Sequence, residues 1–285
     1  MGKYRRLISG LILFLITFFS QSTHLCGQEK TREEIFFQAN QAYREGRYGD
    51  AIDGYNLLIR AGHENGHVYY NMGNAYFRES KLGRAILYYE RARLLIPRDA
   101  DLNFNHRYAL DKTVDAIPDS QGILTQTFFW LKDANFSELQ WIFIAANIFF
   151  WGLLIIRFFT RSEWAYYLLI IVLILWLISF LSFTLKWYQV NRDDRAVIIQ
   201  EEVAVMAGPD ERNTILFKLH EGAVVHHERE EDGWALIRLT DEKRGWVGSD
   251  TLERILPVYP EVEGRSLQSV HGSISISTGS GQASP

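Results

Sequence analysis

Two apolar stretches decide the fold of this chain: LQWIFIAANIFFWGLLII at residues 139–156 and WAYYLLIIVLILWLISFLSFTL at residues 164–185. Neither stretch contains a charged residue. At a helical rise of about 1.5 Å per residue they reach roughly 27 and 33 Å, which matches a hydrocarbon core of about 30 Å. Because a backbone in lipid must satisfy its own hydrogen bonds, both should be helical. We therefore predict a two-helix transmembrane hairpin, with helices over residues 139–160 and 164–186.

The start of the chain predicts the orientation of this hairpin. Lys3, Arg5 and Arg6 precede an apolar stretch from Leu7 to Phe19, a pattern that indicates a signal peptide over residues 1–27. Cleavage of this signal peptide and its retention as a membrane anchor are both open alternatives, and either would export the segment that follows. The short loop between the predicted helices adds two arginines against one glutamate, a weak positive-inside signal. We therefore expect both flanking regions to lie outside the cytoplasm.

Charge and cysteine content exclude several classes of function. The 285-residue chain has a formal net charge of −4, and residues 28–118 and 190–256 carry 13 basic against 13 acidic and 9 basic against 15 acidic residues. Such surfaces do not attract phosphate backbones, so nucleic acid is not an expected partner. Cys26 is the sole cysteine, which excludes a disulfide. Lipidation of Cys26 is an alternative, although Leu25 stands where lipoprotein signals have a small residue.

The first flanking region contains an internal repeat. Shifting residues 28–97 by 34 positions aligns Ala39 with Gly73, Asn40 with Asn74, Ala51 with Ala85, Ile52 with Ile86 and Tyr55 with Tyr89. A 34-residue period with small residues where two helices cross resembles the tetratricopeptide repeat. The second copy, which runs from Gly73 through Tyr89 to Pro97, matches that pattern closely. The first copy departs from it at Leu58 and His63.

The resemblance implies a helical array over residues 28–118, made of two repeats and a capping helix. We predict helices at about residues 32–45, 48–61, 66–79, 82–95 and 100–115. Two repeats alone are marginally stable, so the fifth helix should cover the second repeat. Its residues available for burial are Leu102, Phe104, Tyr108 and Leu110.

Tetratricopeptide arrays resemble one another in binding an extended peptide or a partner helix in a concave groove lined by the first helix of each repeat. Carried onto this sequence, the pattern predicts these partner-binding residues: Phe36, Asn40, Tyr43, Arg44, Tyr70, Asn74, Phe77 and Arg78. Asparagine offers a donor and an acceptor, and arginine a charged fork, for a peptide backbone or a carboxylate. The alternative, that the asparagines support helix packing and the arginines are solvated, is also open.

One segment matches a catalytic motif, since His63-Glu64-Asn65-Gly66-His67 fits the H-E-x-x-H zinc pattern, in which one helical face presents both histidines. The repeat places these residues in a turn between helix pairs, and a third ligand at suitable spacing is missing. The sequence also lacks a phosphate-binding glycine loop and a nucleophile elbow. We therefore predict no enzymatic activity, no metal and no cofactor.

The second flanking region, residues 195–256, consists of short β-rich runs separated by turns, a spacing that is typical of a small all-β barrel. Elements that resemble those of bacterial SH3-like domains follow in order: Val205 to Pro209, Leu219 to Gly222, Gly233-Trp234 and Gly245-Trp246-Val247. Trp234 and Trp246 are candidates either for a shallow binding groove or for the core. Residues 257–285, rich in serine and glycine, should be disordered, and residues 119–138 should form a linker.

Away from the ends of the two uncharged stretches, Asn147 is the only amide, and no Asp, Glu, Lys, Arg or His accompanies it. A transport path would be expected to place ionisable groups at depth, so close helix packing is the better interpretation. Asn147 then either bonds to the partner helix of the hairpin or holds the hairpin to another membrane protein.

The order of signal, two repeats with a capping helix, membrane hairpin and terminal barrel resembles the BatE-like proteins of the Bat aerotolerance group. Members of that group are encoded with a MoxR-type ATPase and with membrane proteins that bear von Willebrand type A domains. The resemblance implies a multi-pass protein of a bacterial inner membrane, with the repeat and SH3-like domains in the periplasm. It also implies protein partners, above all the Bat-type proteins with von Willebrand type A domains.

We thus expect a multidomain membrane protein that acts as a non-enzymatic scaffold or adaptor for protein–protein interaction in an envelope stress or aerotolerance complex. An alternative hypothesis from another class is an envelope anchor whose SH3-like domain binds peptidoglycan. The sequence names neither the ligand nor the oligomeric state.

Overall fold

The structure, a computed structural model, describes residues 25–115, 128, 130–159, 163–239 and 243–256. In these residues, helices precede a seven-stranded antiparallel sheet. The helices are α1 (Leu25–Arg44), α2 (Tyr48–Arg60), α3 (Gly66–Arg78), α4 (Leu82–Leu95), α5 (Ala100–Leu110), α6 (Trp130–Asp133), α7 (Phe136–Phe159) and α8 (Glu163–Asn191). The predicted disordered tail lies outside the described residues, as does the predicted signal peptide except for its last three residues, which begin α1.

Helices α1 to α5 form an array, called the helical array below. Helices α2 to α5 begin at the predicted residues, and side-chain caps explain two of these starts. Asn65 Oδ1 accepts the N–H of Val68 at 2.9 Å, and Asp99 Oδ1 accepts the N–H of Leu102 at 2.8 Å. These bonds satisfy amides that the first turn of a helix leaves without an intrahelical partner.

Small residues let the helices of the array approach closely. A Cβ added at Gly54 would lie 2.8 Å from the Cβ of Ala39, and one at Gly73 would lie 2.6 Å from the ring of Tyr89. Leu102 is fully buried in this core, as the capping role requires. Phe104 and Tyr108 are different, because they remain 64% and 47% exposed. The prediction that they are available for burial is corrected: no later helix of the array covers that face of α5 among the described residues.

Helices α7 and α8, of 24 and 29 residues, are long and apolar enough to cross a membrane. They pack against each other through aromatic side chains, with the rings of Phe143 and Phe183 stacked at 5.5 Å. Ser182 is buried between them and accepts the indole N–H of Trp130 at 3.1 Å. Trp130 belongs to α6, so helical structure begins inside the segment expected as a linker.

The strands of the C-terminal sheet are β1 (Arg195–Ile198), β2 (Glu202–Met206), β3 (Ile215–His220), β4 (Val224–Glu231), β5 (Trp234–Arg238), β6 (Arg244–Gly248) and β7 (Leu252–Arg254). Their order is β3-β2-β6-β5-β4-β1-β7, with antiparallel neighbours throughout. The first six strands overlap the predicted β-rich runs at residues 197–199, 203–205, 215–217, 224–225, 234–237 and 246–247. Strand β7, which pairs with β1, was not predicted.

The helical array and the C-terminal sheet share one hydrophobic core. Val197 of β1 and Ile255 after β7 are fully buried in the same cluster as the core of the array, and Val224 packs against it. The sheet also has its own cluster, centred on residues such as Val205 and Ile237. The two regions expected as separate modules therefore form a single packed unit.

Candidate functional site

A groove of about 520 Å³ opens on the face of the array formed by α1 and α3. It is lined by Phe36, Asn40, Tyr43, Arg44, Tyr55, His67, Tyr70, Asn71, Asn74, Asp99 and Asp101. Six of the eight residues predicted from the repeat pattern are thus brought together around one concavity. Sequence reasoning missed five lining residues: Tyr55, His67 and Asn71, and the two aspartates, which come from the start of α5 and the turn before it.

Asn40 sits at the base of the groove and is held by two hydrogen bonds. Its Oδ1 accepts the hydroxyl of Tyr55 at 2.7 Å and the amide of Asn71 at 2.9 Å. The same arrangement recurs one repeat later, where Asn74 Oδ1 accepts the hydroxyl of Tyr89 at 2.8 Å and the amide of Asn105 at 2.9 Å. These bonds tie α1 to α3 and α3 to α5.

Each asparagine side chain therefore combines a role in helix packing with an N–H donor that can bind a ligand. Their oxygens are used inside the array, which agrees with the packing alternative. Within the described part of the chain, Asn40 Nδ2 has no acceptor, whereas the Asn74 amide also forms a hydrogen bond with the Tyr70 hydroxyl and has a second N–H besides. Both side chains are partly exposed. An amide whose acceptor is fixed internally points its donor in a defined direction, so each can donate to a carbonyl or carboxylate in the groove.

The phenols of the groove stay neutral. Burial raises the pKa of Tyr55 to about 12, and it also raises the pKa of Tyr43 and Tyr70. Such hydroxyls remain protonated at physiological pH, so they can donate hydrogen bonds and carry no charge. The charges of the groove come instead from Arg44 on one side and from Asp99 and Asp101 on the other.

Phe77 and Arg78, the other two predicted residues, lie beside this concavity. The Phe77 ring packs 5.7 Å from that of Tyr108, and Arg78 Nε donates to the Tyr48 hydroxyl at 3.0 Å. Tyr108 and its exposed neighbour Phe104 extend the aromatic surface onto α5. The sequence contained a signal for them, since Phe104 lies 34 positions after Tyr70 and 68 after Phe36.

The two tryptophans of the C-terminal sheet differ in exposure. Trp246 is only 7% exposed, and the guanidinium of Arg229 lies 5.1 Å from its ring centroid. Trp234 is partly buried. Burial of Trp246 favours the core role over the groove role for that residue.

Behind the groove, a buried charge cluster joins the array to the sheet. Glu90 of α4 is 5% exposed. Its carboxylate lies 3.0 Å from the guanidinium of Arg195 in β1, 3.1 Å from that of Arg93 and 2.8 Å from Nε2 of His106. Burial opposes the charge of Glu90, but these three neighbours outweigh it and hold the pKa of the carboxyl well below its ordinary value.

Arg91 makes a second connection across the same junction. Its guanidinium donates to the backbone oxygens of Ile255 and Arg254 at 2.9 and 2.8 Å, and to the carboxylate of Glu253 at 2.9 Å. The Arg91 side chain also lies over the ring of Tyr88, at 5.0 Å. The segment around β7 is thereby fixed to α4.

Comparison with known proteins assigns no family. No protein-family model matches the chain, and no curated protein matches it.

The H-E-x-x-H segment does not form a helical zinc site. Asn65 is the N-cap of α3, and His63 and Glu64 precede that helix in an irregular turn. The two histidines therefore do not share one helical face. Among the described residues, no group of three or more histidine, cysteine, aspartate or glutamate side chains could hold a metal ion.

Proposed function

We propose that this protein is a non-enzymatic membrane scaffold whose helical array, as a tetratricopeptide-type domain, receives a segment of a partner protein. The groove between α1 and α3 carries this proposal. It combines aromatic side chains with two amide donors, at Asn40 and Asn74, that repeat at the 34-residue period. Repeated donors beside aromatic side chains suit an extended peptide, whose carbonyl groups also recur at a fixed spacing.

The proposed location is a bacterial inner membrane, crossed twice, with the array and an SH3-like domain in the periplasm. Two observations support the double crossing with both regions on the same side. Helices α7 and α8 have the length and composition of membrane spans. In addition, the array precedes the hairpin and the sheet follows it, yet the two share a core. A chain that crosses a bilayer twice returns to its starting side, as this contact requires.

The order of segments supports a further proposal, that the chain acts as a BatE-like protein in an envelope stress or aerotolerance complex. Its partners would then be Bat-type membrane proteins with von Willebrand type A domains. The other hypothesis, an anchor that binds peptidoglycan through the SH3-like domain, gains nothing from Trp246, because that ring is buried. Of these two hypotheses, we therefore prefer the scaffold over the wall anchor.

Site-directed photo-crosslinking in native membranes tests the proposal. A crosslinking residue at His67, which is exposed and lines the groove, should capture a protein partner. The same residue at Leu57, which is 58% exposed on α2 and outside the groove, is the matched control and should capture none. If His67 yields no protein adduct in folded, membrane-inserted protein, the scaffold function is refuted.

The wall-binding alternative has its own test. The full-length protein in detergent is mixed with purified sacculi and sedimented. A scaffold without wall affinity stays in the supernatant, whereas an anchor sediments. Full-length protein is needed because Val197 and Ile255 of the sheet region are buried against the array.

A further inference from the structure

A row of three cations crosses the array at the ends of α1, α3 and α5. Arg44 ends α1, Arg78 ends α3 and Lys112 follows α5, each 34 positions after the last. All three are exposed. Their helices are adjacent, because Asn71 bonds to Asn40 and Asn105 bonds to Asn74 across them. These three side chains are called the cation row below.

Each member of the cation row lies over an aromatic ring. The distance from cation to ring centroid is 5.9 Å for Arg44 over Phe37, 5.4 Å for Arg78 over Tyr48 and 4.7 Å for Lys112 over Tyr108. A cation placed on an aromatic face is restrained in position while its remaining donors stay accessible. The row is therefore partly ordered before any ligand arrives.

The cation row also lacks acidic partners. None of its three members forms an ion pair with a carboxylate in the described ranges of the chain. Other cations of the array behave differently: Arg47 pairs with Glu45 and Lys81 pairs with Glu79. Three equivalent cations without an ion-paired carboxylate therefore differ from an ordinary solvated helix face, on which each cation pairs with a neighbouring acidic residue.

We propose that the cation row receives the carboxylates of an acidic, partly apolar protein segment that lies in extended form across α1, α3 and α5. This inference rests on the proposed function and names the chemistry of the partner. The apolar part of the segment meets the exposed rings of Phe104 and Tyr108. Asp99 and Asp101, near the other rim of the groove, repel acidic groups there and so favour one orientation.

The spacing of the helices predicts the spacing of the carboxylates. Packed helices lie about 8–10 Å apart, and an extended chain advances about 3.3 Å per residue. An acidic residue at about every third position would therefore meet successive members of the cation row.

The probe is a fluorescent peptide that repeats Glu-Leu-Ser, and its binding to full-length protein in nanodiscs is followed by anisotropy. Two control peptides have glutamine in place of glutamate, or the same composition with the glutamates clustered. The test variant carries Arg44→Gln, Arg78→Gln and Lys112→Gln. The matched control variant carries Arg60→Gln, Arg84→Gln and Arg107→Gln, which removes the same charge from exposed positions outside both the groove and the cation row.

The test variant should bind the Glu-Leu-Ser peptide at least about tenfold more weakly than wild type, because three charge-assisted contacts are lost. The control variant should match wild type, and both control peptides should bind wild type more weakly. The proposal is overturned if wild type does not bind the peptide, if the glutamine peptide binds as well, or if the control variant loses as much affinity.

A role of the cations in helix stability gives a different result. Cations at helix C-termini stabilise the helix dipole, so that role alone would lower the unfolding temperature of the test variant without any preference for glutamate over glutamine in the probe. The glutamine peptide measured on wild type decides the question even if the test variant is unstable. Undiminished capture of a partner at His67 by a folded test variant would overturn the cation row and leave the scaffold function intact.

Discussion

Replacing Glu90 with glutamine tests whether the buried charge cluster holds the array and the sheet together. The substitution keeps the size of the side chain and removes its charge. It leaves Arg195, Arg93 and His106 without the carboxylate they surround at 2.8 to 3.1 Å. Because Arg195 lies in β1 and Glu90 in α4, the loss falls on the junction itself.

The expected loss follows from the exposure of the partners. Removing one member of a buried ion pair costs about 3–5 kcal/mol. The side chains of Arg195 and Arg93 are 30% and 28% exposed, and Arg195 keeps a second carboxylate, Asp193, at 2.8 Å. Water and Asp193 reduce the cost, so we expect about 2–3 kcal/mol. For a folded unit of this size, that loss lowers the unfolding temperature by roughly 4–12 °C.

The pH dependence has a definite sign. The folded-state pKa of Glu90 lies below its ordinary value of 4.5, so the unfolded chain binds more protons between the two values. The contribution of Glu90 is therefore fully present above pH 4.5 and is lost as the pH falls through the folded-state pKa. The difference in stability between wild type and Glu90→Gln should therefore shrink on acidification below pH 4.5.

Thermal unfolding of the full-length protein in detergent, followed by tryptophan fluorescence, measures both effects. Glu202→Gln is the control, because Glu202 pairs with Lys218 at the surface, where its side chain is 51% exposed. This variant should unfold at the same temperature as the wild-type protein. Equal unfolding temperatures for Glu90→Gln and Glu202→Gln across the pH range would refute the view that the cluster holds the junction.

Three further predictions use the same unfolding assay or a titration. Gly83→Ala should destabilise the protein by about 1–3 kcal/mol, because its Cβ would lie 2.5 Å from the carbonyl oxygen of Ile198. The control Gly49→Ala, whose Cβ meets only an ordinary side-chain contact, should leave the stability unchanged or raise it. Equal effects of the two substitutions would contradict the close approach of α4 to β1. Tyr55→Phe should cost about 1 kcal/mol by removing the bond to Asn40, and an unchanged unfolding temperature would argue against that bond. In an alkaline titration of phenolate absorbance, Tyr55 should ionise only near pH 12. Burial also raises the pKa of Tyr88 to about 12 and that of Tyr89, so the late component should lose the amplitude of one tyrosine in Tyr55→Phe, and loss of an early component instead would contradict the burial of Tyr55.

Much of the array could be predicted because its information is local. A helix start needs a cap such as Asn65 or Asp99, and a helix crossing needs a small residue such as Gly73, so each appears in the sequence next to the structure it specifies. The repeat adds a second copy of every position. That is why six predicted residues meet around one groove, even though nothing in the sequence states the distances between helices.

The junction could not be predicted because its information is non-local. Glu90 and Arg91 are charged residues on a helix, and such residues usually form a solvated face. Their partners lie 105 positions away at Arg195 and 164 positions away at Ile255. The apolar Val197 and Ile255 look like core residues of the sheet alone. Only the packing of α4 against β1 shows that they belong to the core of the array.

The junction also determines how a captured partner would be held above a bilayer. Helix α8 ends at Asn191, and β1 begins at Arg195, whose guanidinium holds Glu90 of α4. Where the chain enters the hairpin, the start of α7 meets the array through the pair of Arg98 with Glu138. Two connections at separate points restrain rotation, whereas a single flexible tether would not. A peptide in the groove would therefore be held in a fixed direction relative to the hairpin, which suits a scaffold that arranges partners in a membrane.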